Sequence, residues 1–552
     1  MSTLSTLANA APVHIFGVSG VLGAAYHFST LHLEPDFVLL ELFGLYATVF
    51  AGLTYLFYLP TSSLLDGLQK SGVAAAGFNT ALAASILIYR LFFHRLRGFK
   101  GPVAARATKF YFLMNIWKKC QGHLETQQLH EKYGDFVRIG PRELSIAAPG
   151  ATHAIYSSSS PCIRAVFYRH QAREDHCSVL LSRSRAHHAM RRRAWDRAFN
   201  GTMLSSYEPK GKVLTDKLLE QLHTHAGEAI DITDWARFFA MDFMGWVGLG
   251  KSYGMIDTLK MHDSVKNLMS AMFILGVVGQ VPWLITLMLQ IPGAGATLRD
   301  FQAWCRTQVD EKIRTFNPSA KSTDIATTLL QDDRCGLGKL ADEGRNDDGR
   351  LMIIAGSDTT ASALAGFFYY LAANPRVQRK LQHILSEAFP AGDSAYTTAA
   401  AGEIPYVDAV INETLRLQPP VTLSLTRTTP KAGMTINGVY IPGDVTVSVP
   451  TYAVHRDGRY FERPEEFIPE RWTDQPELVK DPKAFIPFSI GPYGCAGKPM
   501  AVMEMRMVLC RVVMNFDTAF ADGEDTLNYC NNQKDYYTMQ LQPLKMVFTP
   551  RS

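Results

Sequence analysis

Cys495 stands in the stretch FSIGPYGCAGK, residues 488–498, with Gly491, Gly494 and Gly497 around it. Glycine serves where a backbone needs positive φ or where something must approach it closely. Taken alone, a buried cysteine is a small hydrophobe. Three neighbouring glycines point further, because they let backbone amides face the sulfur and a flat group lie close to the loop. Such donors, with the N-terminus of a following helix, lower a thiol's pKa. A metal-bound thiolate is the chemistry this loop would serve. A nucleophilic cysteine would need a paired histidine, which the sequence alone does not locate.

A second set of reactive groups sits in AGSDTT, residues 355–360. A glycine inside a helix costs about 1 kcal/mol against alanine. An acid and two threonines in apolar surroundings cost more unless they find partners. A gap over Gly356 would admit a water or small ligand, and Asp358 and Thr359 could then pass protons. A satisfied polar kink is the alternative. In ETLR, Glu413 and Arg416 are three apart and share a helix face. Arg471, in FIPERW, could join them in a buried network; otherwise Glu413 and Arg416 form a surface pair worth about 0–1 kcal/mol.

These groups need elements to hold them. Residues 350–373 lack strand alternation and end at Asn374-Pro375, so they read as a long apolar helix. Residues 500–516 read as another. Between them MTINGVYIPGDVTVSVP alternates, with turn signals at Asn437-Gly438 and Pro442-Gly443, and reads as strands. The chain is mainly α with smaller β regions.

The first 95 residues differ. No Lys or Arg precedes Lys70, and residues 37–59 and 72–93 are apolar runs broken only by Glu41 and Arg90. Each approaches the ~20 residues that cross a bilayer. Residues 13–26 form a weaker, glycine-rich run. A signal peptide would carry a basic n-region, which is missing. Arg90, His94, Arg95, Arg97 and Lys100 then mark a cytosolic flank. The expected division is a membrane-anchoring region of one to three transmembrane helices over 1–95 and one large domain over 96–552. A formal charge of +4 on 552 residues, with 19% charged and 47% hydrophobic residues, does not suggest a nucleic-acid binder. Eight scattered cysteines form no disulfide framework.

Taken together, in this order, the motifs resemble those of the cytochrome P450 superfamily of haem-thiolate monooxygenases. FSIGPYGCAGK looks like the haem-binding loop, with Phe488, Gly491, Cys495 and Gly497 in matching places. AGSDTT looks like the oxygen-activating helix, and ETLR with PERW like the Glu–Arg–Arg triad. HEKYGDFVRIGPRELSI, from His130, is similar to the family's N-terminal β region. RRRAWDRAF at 191–199 and VHRD at 454–457 are phrasings shared by fungal members. The resemblance covers residues 95–550.

It implies the P450 fold, preceded by transmembrane helices, and haem b with Cys495 as the axial thiolate. Asp358 and Thr359 would deliver protons; Glu413, Arg416 and Arg471 would be structural. His188, Arg192 and Arg427 would hold the haem propionates. Tyr493 stands where most members carry Arg or His. Arg191, Arg193, Arg197 and Lys498 would form a docking face for an acidic electron donor. The implied partners are an NADPH-dependent cytochrome reductase, with cytochrome b5 as a second candidate donor, and an apolar small-molecule substrate. The implied setting is the endoplasmic reticulum membrane, catalytic domain towards the cytosol, in fungal secondary metabolism. A haem-thiolate isomerase or dehydratase that uses no O2, and a non-catalytic membrane haem-binding protein, are the alternatives.

Overall fold

The computed structural model describes residues 10–31, 38–168, 176–334, 342–423 and 425–551. Three helices come first: Pro12–Thr30, Leu39–Thr61 and Leu64–Ile88, the last continued by a wider turn over Tyr89–Phe93. Ser62 turns left-handed after the second helix, and the Ser63 hydroxyl caps the third by accepting from Asp66 N–H. A break this short makes the two helices an antiparallel hairpin. Leu39–Thr61 and Leu64–Phe93 are long and apolar enough to cross a membrane, and their apolar windows are only 11% and 17% buried. Asp342–Ala373 also passes on length and composition, but its window is 72% buried, so it is a core helix.

That core helix is longer than the apolar pattern suggested. Its polar first turns, 342–349, are held because Asp347 and Asp348 accept from the backbone N–H groups of Ser178 and Val179. Helices Ile232–Met244, Pro405–Leu417 and Lys498–Asn515 join it in one large apolar core.

A five-stranded sheet lies beside this helical mass, in the order Phe136–Gly140, Glu143–Ile146, Thr446–Ser448, Arg427–Thr428, Ile163–Arg164. The short strands Met434–Ile436 and Val439–Ile441 form the expected hairpin, with Asn437 and Gly438 both at positive φ. Two features of the sheet position chemistry. Arg164 pairs in register with Arg427 across neighbouring strands. Leu96, fully buried in the sheet's apolar core, ties the end of the third helix directly to the domain.

Candidate active site

The cysteine loop is fixed by its backbone. Cys495 N–H donates to Phe488 C=O at 2.9 Å, and Gly494 N–H to Gly491 C=O at 3.0 Å. Gly491 has φ +71°, and a Cβ there would lie 2.2 Å from the Tyr156 carbonyl oxygen. That glycine is required by the chain packed behind the loop, not by a ligand in front of it. A Cβ on Gly497 would lie 3.9 Å from Cys495 Sγ. Cys495 as a residue is exposed. The protein around the loop pushes the thiol up, while the N–H groups of Gly497 and Lys498, with the charges of Arg192 and Lys498, oppose this. Phe488 is half-buried beside the loop, with Lys498 Nζ 5.7 Å from its ring centroid.

Tyr493 has a different setting from a lone hydrogen-bond donor. The guanidinium of Arg164 is 4.4 Å from its ring centroid, that of Arg427 is 4.8 Å away, and the His188 ring is at 4.5 Å. Among the described residues its buried hydroxyl has no partner, and neither do Nε and Nη2 of Arg427. Arg427 is 1% exposed, and among the described residues its side chain donates only to the carbonyls of Leu425 and Thr426. Arg164, equally buried, donates to Val179 and Ser182 C=O. Among the described residues no carboxylate pairs with either arginine. His188 is consequently driven to about 3, by burial and by Arg164, Arg192 and Arg427, and is neutral. Arg192 faces the loop instead: Nη1 donates to Gly494 C=O at 2.5 Å and Nε to Asp196 at 2.6 Å.

On the central helix, Asp358 is buried, accepts from Gln540 Nε2 at 3.0 and 2.9 Å and from the Thr538 hydroxyl, and is raised above the usual carboxylate range by burial. The Thr359 hydroxyl, half-exposed on the neighbouring face, donates to Ala355 C=O at 2.6 Å. The gap expected over Gly356 is filled. A Cβ there would meet Met244 Sδ at 2.3 Å, so the glycine admits a side chain of the crossing helix rather than a water. Behind Thr360 lies Glu504, 1% exposed, its carboxyl pushed well up by burial against the opposing influence of the Thr360 hydroxyl.

Glu413, Arg416 and Arg471 meet, and all three are fully buried. Arg416 grips Glu413 through Nε and Nη2, both at 2.9 Å, and Arg471 Nε reaches Glu413 Oε1 at 2.9 Å. Trp472 Nε1 and Ile468 N–H complete the shell around the carboxylate. The arginines spend their remaining donors on carbonyls of 455–478. A surface pair is thereby ruled out. A buried pair this well satisfied fixes one conformation of the segment that leads into the cysteine loop.

The family model described as Cytochrome P450 matches residues 106–547. A cytochrome P450 monooxygenase, orf5, of Eupenicillium brefeldianum is 38% identical over 85% of this chain and 94% of its own. Cytochrome P450 monooxygenase FCK2 of Fusarium pseudograminearum is 34% identical over the full length of both. Tryprostatin B 6-hydroxylase of Aspergillus fumigatus is 34% identical over 88% of this chain and 86% of its own. The chain belongs to the cytochrome P450 family. It is a haem-dependent monooxygenase of the fungal type.

The residues present fit that P450 cofactor. Two buried arginines, side by side without a carboxylate among the described residues, and orphaned donors on Arg427 and Tyr493 suit an anion, and haem carries two propionates. Arg164 was not singled out from the sequence; only its cross-strand register with Arg427 reveals it. Met244, Thr538 and Gln540 lie far in sequence from the groups they meet, and Glu504 is visible in the sequence only as an acid in an apolar helix. The proposed docking face needs one correction. Arg191 is not on it: the residue is 2% exposed and paired with Asp348 at 2.5 Å, while Arg193, Arg197 and Lys498 are exposed.

A cavity of about 1040 Å³ lies between the anchor and the domain. Its lining runs from Leu39 and Phe43 on the second helix to Phe167, Tyr168 and Tyr537. Tyr168 in turn lies 5.5 Å from the Arg164 guanidinium.

Proposed function

We propose that this P450 is held on the endoplasmic reticulum by residues 1–95, with residues 96–552 in the cytosol. There it takes electrons from an NADPH-dependent cytochrome reductase, with cytochrome b5 as a second donor. It inserts one oxygen atom of O2 into an apolar small molecule of fungal secondary metabolism. The observation that carries the reading is the anion-seeking cluster of Arg164, Arg427 and Tyr493 two residues from Cys495.

When bound, the haem supplies a redox iron with a thiolate ligand from Cys495, on which O2 is activated. The chain's own residues do the rest. Arg164, Arg427, Tyr493 and neutral His188 would hold the propionates, and Arg192 clamps the cysteine loop to its neighbouring helix. Asp358, its carboxyl raised above the usual carboxylate range by burial, would exchange protons with the Thr359 hydroxyl beside it as the carrier. Phe167, Tyr168 and Tyr537 line the apolar approach from the membrane side and exclude water. Exposed Arg193, Arg197 and Lys498 present positive charge to an acidic donor.

The test is reconstitution with a reductase and NADPH in a host whose metabolites are profiled. The carbon-monoxide difference spectrum of Cys495→Ala serves as control. A new oxygenated product with wild type and a lost thiolate-type band in the variant are expected. A persistent band would overturn the assignment of Cys495. Thr359→Ala should keep haem and divert electrons to peroxide; unchanged coupling would remove Thr359 from proton delivery.

A further inference from the structure

The five-stranded sheet has two unlike faces. Leu144, Ile146, Val445 and Val447 turn into its apolar core. Side chains alternate along a strand, so Ser145, Thr446 and Ser448 face the opposite way. Thr428 pairs in register with Thr446, and Arg427 with Val447, so Thr426 and Thr428 share that second face. All five hydroxyl residues line the cavity of about 1040 Å³. The Ser145 hydroxyl is taken by His130 Nε2 at 2.7 Å. Those of Thr426 and Thr428 are buried without a hydrogen-bond partner among the described residues. The large majority of buried side-chain polar atoms have one. The cavity therefore has a floor of neutral hydroxyls, two of them open to a ligand's donor or acceptor.

Aromatic side chains from other elements line the same cavity. Phe110 meets Trp283 edge-on, with ring centroids 5.8 Å apart. Phe167 stacks on Tyr537 at 5.8 Å and 18°. Tyr168 meets Phe167 edge-on at 5.3 Å, at the end nearest Arg164. Tyr537 alone forms the tip of a hairpin, since Tyr536 pairs with Thr538 across it. Its φ is +81°, where a bulky residue is an outlier. Such strain persists where the surroundings over-determine it, and it clusters at ligand sites. Here the tip is held because Asp535 and Thr538, on either side of it, bond to Thr422 and Asp358. Charge does not single out an acid or a base. Glu143 is paired with Lys109, and Asp444 has Arg95 beside it. Arg90 and Arg183 donate to the carbonyls of Ala107 and Arg164, and Arg142 has an interaction of its own.

We propose that this cavity is the chamber that recognises the substrate, and that the substrate is a planar aromatic molecule carrying a neutral hydrogen-bonding group such as an amide. The ring lies against Phe167, Tyr537 and Trp283, and the neutral group bonds the hydroxyls of Thr426 and Thr428. An alkyl chain of equal volume would fill the space, but it would leave these hydroxyls unpaired and forgo the ring contacts. A site built to hydrogen-bond rejects an analogue without the group more strongly than one short of a methylene. The proposal rests on the monooxygenase reading above and narrows its apolar small molecule to one class.

The full-length holoenzyme in neutral detergent is titrated with 2-naphthamide, with 2-ethylnaphthalene, which has the ring without the amide, and with undecanamide, which has the amide without the ring. Dissociation constants are read from the haem spin-state shift and, independently of the haem, by equilibrium dialysis. 2-Naphthamide is expected to bind about tenfold more tightly than either of the others. T426V/T428V removes the hydroxyls at constant shape. It should weaken 2-naphthamide about fivefold and leave 2-ethylnaphthalene unchanged. F167L/Y537L should weaken both naphthalenes about fivefold and leave undecanamide unchanged. An intact carbon-monoxide spectrum shows that a variant is folded, and either variant decides the matter if the other fails to fold. The proposal is overturned if undecanamide binds wild type as tightly as 2-naphthamide, or if no probe binds. It is overturned too if a folded variant weakens all probes alike or none. Reconstitution with a reductase separates the two levels. If wild type oxygenates no metabolite, the monooxygenase reading fails, whereas an active enzyme without this preference defeats only the chamber.

Discussion

Exchanging Tyr493 for Phe removes a hydroxyl that has no hydrogen-bond partner among the described residues but leaves the ring that Arg164 and Arg427 share. The cost is therefore at most the net worth of one hydrogen bond, about 0.5–1.5 kcal/mol. Tyr493→Leu removes the ring face under two guanidiniums, each worth about 0.5–2 kcal/mol when desolvated. Arg427→Ala should be worst, because it strips a cation from a buried anion. Haem transfer to an acceptor protein should run fastest for Arg427→Ala, then Tyr493→Leu, with Tyr493→Phe near wild type. A Phe variant faster than Arg427→Ala would undo the assignment. Glu504 gives a second residue-scale test. Its folded-state pKa is raised above the unfolded value, so the folded chain holds a proton that the unfolded chain releases above about pH 4.5. Stability from this group is full below that pH and falls as pH rises, by up to about 1.4 kcal/mol per unit until the folded pKa is reached. Glu504→Gln keeps the shape without the charge. Its thermal midpoint should match wild type at pH 5 and exceed it increasingly between pH 6 and 8. A midpoint that falls below wild type at pH 8 would mean that Glu504 is ionised and paired.

At the scale of elements, the contact between the central helix and Ile232–Met244 turns on one glycine. Gly356→Ala forces Met244 aside, since Sδ and Cγ would lie 2.3 and 2.8 Å from the new carbon. Overpacking of this kind costs about 1–3 kcal/mol, against about 1 kcal/mol gained from helix propensity. A net loss of up to about 2 kcal/mol is expected, and in a Met244→Ala background, itself about 2–5 kcal/mol less stable, Gly356→Ala should cost little or nothing. Additive losses in denaturant unfolding would show that the two residues do not touch. The same contact explains what could be read in advance. The apolar run that became the central helix, the hairpin at Asn437-Gly438 and the loop around Cys495 are all local in sequence, and local pattern is enough for them. The partner that fills the space over Gly356 lies on another helix, and Thr538, which fixes Asp358, is 180 residues away. Nothing local to AGSDTT encodes either. An acid inside an apolar helix was the sole signal at Glu504, and it says only that some partner or proton is needed. Arg164 carried no signal, because its meaning comes from strand register.

At the scale of the whole molecule, the packing of the first three helices decides on which side of the membrane the chain starts. Tyr46 meets Asn79, and Thr54 meets Gly67, so the second and third helices run antiparallel. Phe16 meets Gly77, Gly20 meets Ala81, and His27 Nδ1 meets the Ser85 hydroxyl at 2.8 Å, so the first runs parallel to the third. A Cβ on Gly23 or Gly77 would come within 2.3–2.4 Å of the facing backbone, the close approach that small residues permit between membrane helices. Pro12–Thr30 has 19 residues, about 28 Å at 1.5 Å per residue, against a hydrocarbon core of about 30 Å. Its outer face, with Val13, Val21, Leu22 and Phe28, is apolar and exposed. Only Leu39–Thr61 and Leu64–Phe93 of the three are long and apolar enough to cross by themselves; the prediction is that the first helix crosses with them, in an up–down–up order with the N-terminus opposite the catalytic domain, where two crossings would put both on one side. With the domain in the cytosol, a glycosylation acceptor fused before Met1 should be modified in the endoplasmic reticulum, and one inserted between Thr30 and Leu39 should not. Gly77→Leu, which wedges the first helix off the third, should lower modification of the N-terminal acceptor while leaving the carbon-monoxide spectrum unchanged. An unmodified N-terminal acceptor together with a modified one before Leu39 would reverse the order of the spans. If neither is modified, and an N-terminal epitope is digested in intact microsomes, the first helix lies on the cytosolic surface and the anchor has two spans.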